Sequence, residues 1–377
     1  MAIKEICPDK DCTACMACVN VCPKSCISMK QGKLGHIYPV IDADLCIECG
    51  LCIKSCQVNY PLALKSPVTA YAGWHKDIAE YHTSTSGGAA AALSNAVIAD
   101  GGVVYGCESR KGVKICHVRI DRQEELYRLK GSKYVQSYVG SSTMKDVRSD
   151  LNHGLKVLFI GTPCQVAGLK SFLKKDYENL LTVDIICHGV PAVSYLRRHV
   201  KRVSGGKGTS VTFRKGNDMA LRVFDASGEK IYYSNVWRER FKDTYYNAFI
   251  DGYTYRDCCY TCKFARPERV SDITIGDFWG LGADLKHDSV NGCSCILPVT
   301  DKGHILLKGS EMELHERDVM EAVNGNGQLR APSRLDLRRK IFRRLVPLFG
   351  EKFLYRICES DHIAGRFLQR VRRKLKL

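Results

Sequence analysis

The sequence predicts three successive parts: a small α+β module at residues 1–66, an α/β domain whose two parts cover residues 67–150 and 151–329, and a basic helical tail at residues 330–377. Three observations predict this order. A cysteine pattern occurs twice in the first sixty residues, strands then alternate with helices, and the tail holds 15 Lys/Arg against 4 Asp/Glu. With 377 residues, of which 45% are hydrophobic and 26% charged, the chain is long enough for several domains and has the composition of folded proteins.

The main chemical feature of the chain is its 20 cysteines. Because the chain is large and shows no export signal, they predict metal or redox chemistry rather than a disulfide framework. Two runs have the spacing C-x2-C-x2-C-x3-C and are offset by 34 residues: Cys12, Cys15, Cys18 and Cys22, then Cys46, Cys49, Cys52 and Cys56. This spacing is typical of bacterial ferredoxins that carry two [4Fe–4S] clusters.

In such proteins the fourth cysteine of each run ligates the cluster of the other run. We therefore predict an α+β ferredoxin-like dicluster module with one cluster held by Cys12, Cys15, Cys18 and Cys56, and the second by Cys46, Cys49, Cys52 and Cys22. Zinc is the alternative, but zinc sites favour two C-x-x-C pairs or mixtures of Cys and His. Short strands are expected at Cys26–Met29 and Ile37–Ile41, around a turn at Gly32. The surplus cysteines Cys7 and Cys26 are expected to be buried structural thiols.

From residue 67 onward, predicted strands and helices alternate, which is typical of an α/β fold. The expected strands are Val68–Trp74, Val103–Cys107, Lys114–Ile120, Lys156–Ile160 and Leu181–Ile186. The expected helices are Gly88–Ala99, Thr143–Leu151 and Pro163–Leu173. An antiparallel insert is expected from Val211–Phe213, Leu221–Asp225 and Lys230–Tyr233. Open α/β sheets bind ligands at the carboxyl ends of their strands, so we look for site residues there.

One strand end carries a cysteine at the start of a helix. Thr162 is expected to cap this helix, Pro163 to open it, and Gln165 to complete a capping box. Cys164 then lies in the first turn, where the helix dipole lowers the pKa of a thiol. The alternative is a buried structural cysteine.

Further cysteines complete a third quartet. Cys187 follows the next buried strand, and a C-x-x-C pair comes later in the chain. Thiolates are the ligands that iron–sulfur clusters require. We predict a third [4Fe–4S] cluster held by Cys164, Cys187, Cys259 and Cys262. Cys258 is an alternative to Cys259.

Two segments carry groups that bind phosphate. Ser86–Gly88 opens a predicted helix, where backbone N–H groups and hydroxyls converge. Lys130–Tyr134 adds two ammonium groups, a hydroxyl and an aromatic ring. Neither segment matches a Walker loop or the G-x-G-x-x-G fingerprint. An ordinary tight helix start is the alternative for the first segment.

Taken together, these residues resemble the beta-subunit family of coenzyme F-420 hydrogenases and dehydrogenases. The segments that carry the resemblance are Ser84–Gly88, Lys130–Ser137, Gly161–Gly168, Ile186–Pro191, Cys259–Phe264 and Ser271–Gly280. The resemblance implies an iron–sulfur oxidoreductase with an α/β flavin-binding domain that contains FAD. By matching motif, the residues that contact FAD are Ser86, Gly87, Gly88, Lys130, Ser132, Lys133 and Tyr134, with Thr162 nearby. It also implies that Asp277 and Trp279 border the same cleft.

The implied reaction passes electrons between a two-electron (hydride) substrate at FAD and one-electron carriers. The substrate is a deazaflavin or another hydride carrier, and the partner is a ferredoxin or a redox subunit. A flavin-free electron-transfer or scaffolding subunit is the alternative. Action on nucleic acid is disfavoured, because the basic tail lacks the interleaved aromatic residues of a stacking platform.

The tail predicts two basic amphipathic helices. Apolar residues recur at helical spacing at Leu337, Ile341, Leu345 and Leu348, and again at Ala364, Phe367, Val371 and Leu375. We expect these stripes to pack on the α/β domain or on a partner, with the arginines solvated. Peripheral contact with an anionic inner-membrane surface is the alternative. With no signal-peptide-like stretch at its N-terminus, the chain is expected to be cytoplasmic.

Overall fold

The computed structural model describes residues 5–239, 241–285 and 291–359. The cysteine-rich module contains two short helices and one antiparallel hairpin: α1 Ala17–Val21, β1 Ile27–Gln31, β2 Ile37–Ile41 and α2 Leu51–Lys54. Both predicted strands are therefore present. Gly32 follows β1 and donates a backbone hydrogen bond to the His36 carbonyl (2.8 Å), which closes the turn as expected.

The rest of the chain is built around an open sheet and a smaller insert. The strands are β3 Ala70–His75, β4 Val103–Arg110, β5 Lys114–Ile120, β6 Val157–Gly161, β7 Leu180–Ile185, β8 Ser210–Lys215, β9 Asp218–Phe224, β10 Lys230–Asn235, β11 Ile273–Asp277, β12 Ser294–Pro298 and β13 Met312–Arg317. The helices are α3 Ile78–Thr83, α4 Ala89–Ala99, α5 Thr143–Asn152, α6 Pro163–Leu173, α7 Val193–Val203, α8 Thr244–Ile250, α9 Asp301–Lys308, α10 Val319–Gly325, α11 Leu337–Phe349 and α12 Glu351–Glu359. Single turns of 3₁₀ helix occur at Ser86–Gly88 and Gly327–Leu329, and longer ones at Gln123–Leu129 and Asp257–Thr261.

The large sheet has the strand order β13-β3-β12-β11-β7-β6-β4-β5 in the described residues. Strands β4, β6, β7 and β11 are parallel, and the outer pairings are antiparallel. The adjacent strands β6, β7 and β11 therefore end at one edge of the sheet. This edge carries Thr162, Cys187 and Asp277, as expected for the ligand-binding edge of an α/β sheet.

The cysteine-rich module packs on one face of this sheet. Helix α1 contacts α5 and α6, and its core is continuous with Val103, Phe159 and Val166 of the α/β domain. The Asn20 side chain accepts a hydrogen bond from Met144 N (3.0 Å) and donates one to the Gly140 carbonyl (2.8 Å). The module is thereby held against the start of α5.

Strands β8, β9 and β10 form the predicted antiparallel insert as a separate sheet. Helices α8, α11 and α12 share its core, in which Phe342 and Tyr355 are buried. Packing of the tail on the domain, the favoured expectation, is therefore correct for residues 337–359. Of the first predicted stripe, Ile341 is buried, whereas Leu337 and Leu348 are exposed.

The expectation of solvated tail arginines is wrong for Arg343. This side chain is buried and donates hydrogen bonds to the Tyr255 carbonyl and the Asp257 carboxylate. The second predicted stripe, Ala364, Phe367, Val371 and Leu375, lies outside the described residues. Membrane contact through that segment stays a prediction. Among the described residues, no helix is long and apolar enough to cross a membrane.

Candidate redox site

The eight cysteines of the repeated pattern line two separate small cavities in the module. One cavity is lined by Cys12, Cys15, Cys18 and Cys56. The other is lined by Cys22, Cys46, Cys49 and Cys52. The structure thus brings together the two quartets that the spacing predicts. No three His, Cys, Asp or Glu side chains of the described chain are close enough to hold a single metal ion.

The repeat extends to the backbone conformation of the two loops that carry the first three cysteines of each run. We call residues 12–18 the first cluster loop and residues 46–52 the second. Ala14 (φ 51°) and Glu48 (φ 52°) are left-handed at equivalent places, between the first and second cysteine of each run. Met16 (φ 68°) and Gly50 (φ 70°) are left-handed between the second and third cysteine. Left-handed residues reverse the chain direction, so each loop curls around its cavity. Non-glycine residues adopt this conformation rarely, and strain of this kind is typical of functional loops.

The surplus cysteines Cys7 and Cys26 are buried, as expected, but they also contact predicted cluster ligands. The Cys26 Sγ lies 3.4 Å from the Cys22 Sγ. Hydrogen bonds from Cys7 lower the pKa of Cys12 to about 6 and that of Cys56 to about 7, because they stabilise the thiolates. Each cavity therefore has a fifth thiol in its wall.

The cysteines of the predicted third quartet also converge. The thiols of Cys187, Cys259 and Cys262 are all near Cys164, and their charges act on its pKa. Cys258 lies in the same group, where its hydrogen bond lowers the pKa of Cys259. Five thiols therefore lie within electrostatic range of one another at the carboxyl edge of the sheet, and the choice between Cys258 and Cys259 stays open.

Helix α6 begins as predicted, at Pro163, with the Gln165 side chain accepting a hydrogen bond from Thr162 N (3.0 Å). The pKa of Cys164, however, is raised well above its usual range. Burial is the largest cause, and it outweighs the hydrogen bond from Thr162; the charges of Cys187, Cys262 and Cys259 raise the pKa further. The expected lowering of this pKa is therefore wrong for the isolated thiol.

A cavity of about 520 Å³ opens beside these cysteines, a size typical of ligand sites. The predicted cofactor residues that line it are Ser86, Gly88, Lys130, Ser132, Lys133, Tyr134 and Thr162. Asp277, Trp279, Cys164 and Cys187 line it as well. Gly87 does not. A Cβ at Gly87 would lie 2.5 Å from both the Gly73 carbonyl and Ser294 N, so this glycine lets the turn pack against the strands.

The two lysines of the cavity differ in their partners. Lys130 Nζ is 2.9 Å from the Glu80 carboxylate and donates to Thr83 Oγ1 at 2.6 Å. Lys133 Nζ donates only to backbone carbonyls, those of Leu129 (2.7 Å) and Lys130 (2.9 Å). Burial lowers the pKa of Lys133, and the charges of Cys107 and Glu108, which raise it, offset this only in part. Lys133 is therefore more available than Lys130 to bind an anionic ligand.

A polar network joins the Ser86 turn to the end of β11. Ser86 Oγ donates to Asp277 Oδ1 (2.7 Å), and Arg214 Nη1 donates to both oxygens of Asp277 (2.7 and 2.8 Å). Arg214 comes from β8 of the insert, and the sequence analysis missed it. No local signal could have found it, because it meets Asp277 only through the tertiary fold.

Histidines also contribute to the cavity wall. His117, to which the sequence assigned no role, has its Nε2 3.1 Å from the Ile160 carbonyl and its ring stacked on Phe159. Burial lowers the pKa of His117 to about 4 and also lowers that of His188. Both rings are therefore neutral near pH 7 and add no charge to the cavity wall.

The module touches the cavity region directly. A Cβ at Gly168 of α6 would lie 2.7 Å from the Cys15 Sγ, so only glycine permits this approach. Gly168 is four residues, or about 6 Å of helix, from Cys164. Gln136 Nε2, on the cavity wall, donates to the Thr13 carbonyl in the first cluster loop (3.1 Å).

Comparison with known proteins gives two family matches. Residues 154–321 match the family described as the C terminus of the beta subunit of coenzyme F420 hydrogenase/dehydrogenase. Residues 11–60 match the 4Fe-4S dicluster domain family. A protein of Porphyra purpurea, described as an uncharacterized protein in the rpl9-rpl11 intergenic region, is 40% identical over 50 residues, which is 13% of this chain and 67% of the relative.

Among solved structures, a chain from the F420-reducing [NiFe] hydrogenase complex of Methanosarcina barkeri is similar at 16% identity and a TM-score of 0.45. The match covers 79% of this chain and 95% of that one. The dicluster match makes the protein an iron–sulfur electron-transfer protein and bears out the choice of iron–sulfur clusters over zinc. The chain thus joins a 4Fe-4S dicluster domain to a domain of the coenzyme F420 hydrogenase/dehydrogenase beta-subunit family.

Proposed function

We propose that the chain is an iron–sulfur flavoprotein oxidoreductase. It passes electrons between a two-electron (hydride) substrate at FAD and one-electron carriers, through three [4Fe–4S] clusters. One observation carries the proposal: the predicted flavin-binding residues other than Gly87, and two cysteines of the third quartet, Cys164 and Cys187, line the same cavity. A flavin bound there would lie beside a cluster ligand.

The donor set of the cavity suits FAD. Lys133 offers a half-buried ammonium group that donates only to backbone carbonyls, which suits a pyrophosphate. The turn at Ser86 and Gly88, both with positive φ, brings backbone close to the ligand. Tyr134 stacks on Phe249 with ring centroids 5.1 Å apart and gives the cavity a rigid aromatic side.

FAD, when bound, supplies the exchange between two-electron and one-electron chemistry. The protein's own residues bind, orient and shield it. Lys133 and Ser132 would hold the phosphates. The rings of His117 and His188 are neutral and would add no positive charge to the cavity wall. Asp277 holds Ser86 in place through its hydrogen bond, and its own position is set by Arg214.

The contact between Gly168 and Cys15 supports the proposed electron route. The third quartet begins at Cys164, one helical turn from that contact. Electrons would therefore pass from the cavity to the third cluster, then to the cluster of the first loop, and then to the second module cluster. Cys49 of that last cluster is exposed, which suits transfer to a ferredoxin or a redox subunit.

The proposed substrate is a deazaflavin or another hydride carrier. The test is anaerobic mixing of the full-length protein with reduced deazaflavin or with a reduced nicotinamide. Visible absorption follows the flavin and electron paramagnetic resonance follows the clusters. We expect loss of flavin absorption together with signals from reduced clusters. Purified protein without flavin, whose clusters are reduced by dithionite but by no hydride donor, would contradict the proposal.

A flavin-free electron-transfer or scaffolding subunit is the second candidate. It is favoured by Lys130, whose ammonium group is already engaged by Glu80 and Thr83. FAD reconstitution separates the two candidates. A flavoprotein takes up about one FAD per chain, whereas a flavin-free subunit takes up none.

A further inference from the structure

Arg256 lies between the first cluster loop and the third cysteine group, and its side chain is completely buried. Its Nε donates to the Cys12 carbonyl (2.5 Å) and its Nη2 to the Ile37 carbonyl (2.8 Å). Its Nη1 donates to Gln136 Oε1 (3.2 Å), and the guanidinium stacks over the Tyr38 ring at 4.3 Å. The guanidinium thus spans the contact between the module and the α/β domain.

Arg256 differs from every other buried arginine of the described chain in having no carboxylate partner. The others pair as follows: Arg214 with Asp277, Arg222 with Asp218, Arg269 with Asp184, and Arg343 with Asp257. The acceptors of Arg256 are two carbonyls and one amide, all neutral. A buried cation of this kind is costly unless an anion lies nearby. The acidic groups that act most strongly on it are the thiols of Cys12, Cys258 and Cys259, together with Tyr38.

We propose that Arg256 is the shared counter-ion of two clusters, and that it sets their reduction potentials. These are the module cluster ligated by Cys12 and the third cluster ligated by Cys259 or Cys258. For the third cluster the inference rests on the proposed function. The cluster ligated by Cys12 belongs to the dicluster domain. Arg256 is a positioning residue, since its side chain donates to the loop of one cluster and its carbonyl accepts a hydrogen bond from Cys259 N (3.0 Å) in the ligand segment of the other.

The charge of Arg256 acts on the electron transfer itself. When an electron passes between the two clusters, one is oxidised and the other reduced by one electron, and no bond or proton is exchanged. Reduction makes a cluster more negative, so a fixed cation stabilises the reduced form and raises the potential. Because Arg256 contacts the segments that ligate both clusters, it raises both potentials.

The test is a potentiometric titration of anaerobically purified full-length protein, followed by electron paramagnetic resonance. Arg256→Gln removes the charge and keeps a hydrogen-bonding amide. We expect at least a tenfold fall in the reduction equilibrium constant of the clusters beside Arg256, which is about 59 mV for one electron. The cluster of Cys22, Cys46, Cys49 and Cys52 is the internal control and keeps its potential.

Two further variants complete the design. Arg222→Gln removes a buried arginine that pairs with Asp218 in the insert, and all potentials should stay at their wild-type values. Arg256→Lys keeps the charge, so we expect potentials near wild type even though the forked hydrogen bonds are lost. If Arg256→Gln does not bind its clusters, the test depends on Arg256→Lys. Full iron content and near-wild-type potentials in Arg256→Lys would then support the proposal.

Unchanged potentials in Arg256→Gln, an equal shift of every cluster, or failure of Arg256→Lys to load iron would overturn the inference. The iron content of the wild type distinguishes failure of this inference from failure of the proposed function. A wild type with only two clusters removes the third cluster from the account. The expected fall in the potential of the Cys12 cluster would still be measured.

Discussion

Lys133→Met is the most informative single change in the cofactor cavity. Methionine keeps the length of the side chain and removes the ammonium group. That group lines the cavity, is half-buried, and has only the carbonyls of Leu129 and Lys130 as acceptors. The variant therefore removes the proposed phosphate-binding charge and leaves no new buried charge behind.

The size of the effect follows from the type of bond. A hydrogen bond to a charged group contributes about 1.5–3 kcal/mol. The dissociation constant of FAD should therefore rise roughly 10- to 150-fold in Lys133→Met. The free energy of unfolding of the flavin-free protein should stay equal or increase, because burial already lowers the pKa of Lys133 and disfavours its charge.

The assay is titration of flavin-free protein with FAD, with thermal unfolding measured in parallel. Lys302→Met is the matched control, because Lys302 Nζ also donates to two backbone carbonyls, those of Tyr177 and Leu180, away from the cavity. The control should bind FAD like the wild type. Wild-type affinity in Lys133→Met, or a loss of affinity that is equal in both variants, would refute the reasoning.

Three other predictions concern the clusters, the tail and acid stability. Cys18→Ala and Cys52→Ala should each lower the iron content by about four atoms per chain, because each removes a ligand of a different cluster, and wild-type iron in either would contradict the assignment. Phe342→Ala should destabilise the protein by about 3–5 kcal/mol in denaturant unfolding, because Phe342 is buried against the insert. Phe353→Ala, on the exposed face, should have little effect, and equal effects of the two changes would contradict packing of the tail. Burial lowers the pKa of His36 to about 3, so the unfolded chain binds a proton below pH 6.5 that the folded chain does not. The free energy of unfolding should therefore fall by about 2 kcal/mol between pH 7 and pH 5. In thermal unfolding, His36→Gln, which can still donate to the Val190 carbonyl, should lose most of this pH dependence. An unchanged pH dependence in this variant would contradict the role of His36.

Local signals made much of the fold predictable. The start of α6 follows from Thr162, Pro163 and Gln165, all within four residues, and the helix has the predicted bounds. Strand β5 covers the predicted Lys114–Ile120, because its turn residues and alternating pattern are local. The grouping of the eight module cysteines followed from spacing alone, because a fixed spacing fixes which loop can reach which cavity.

The features that escaped prediction depend on residues far apart in the chain. Arg214 and Asp277 are 63 residues apart, and only the insert brings them together. Sequence reasoning also assigned Lys130 and Lys133 the same role. They differ because Glu80, from α3, neutralises one of them and not the other. The pKa of Cys164 is raised mainly by burial, which depends on the tertiary fold rather than on the position of this residue at the start of α6.

The most direct test of the account is a count of cofactors in wild-type protein purified without oxygen. Iron, acid-labile sulfide and flavin are measured per chain. The account predicts about twelve iron atoms, about twelve sulfides and about one FAD per chain, which correspond to three [4Fe–4S] clusters and one flavin. About eight iron atoms with no flavin, even after reconstitution, would contradict the flavin and the third cluster and leave only the dicluster domain.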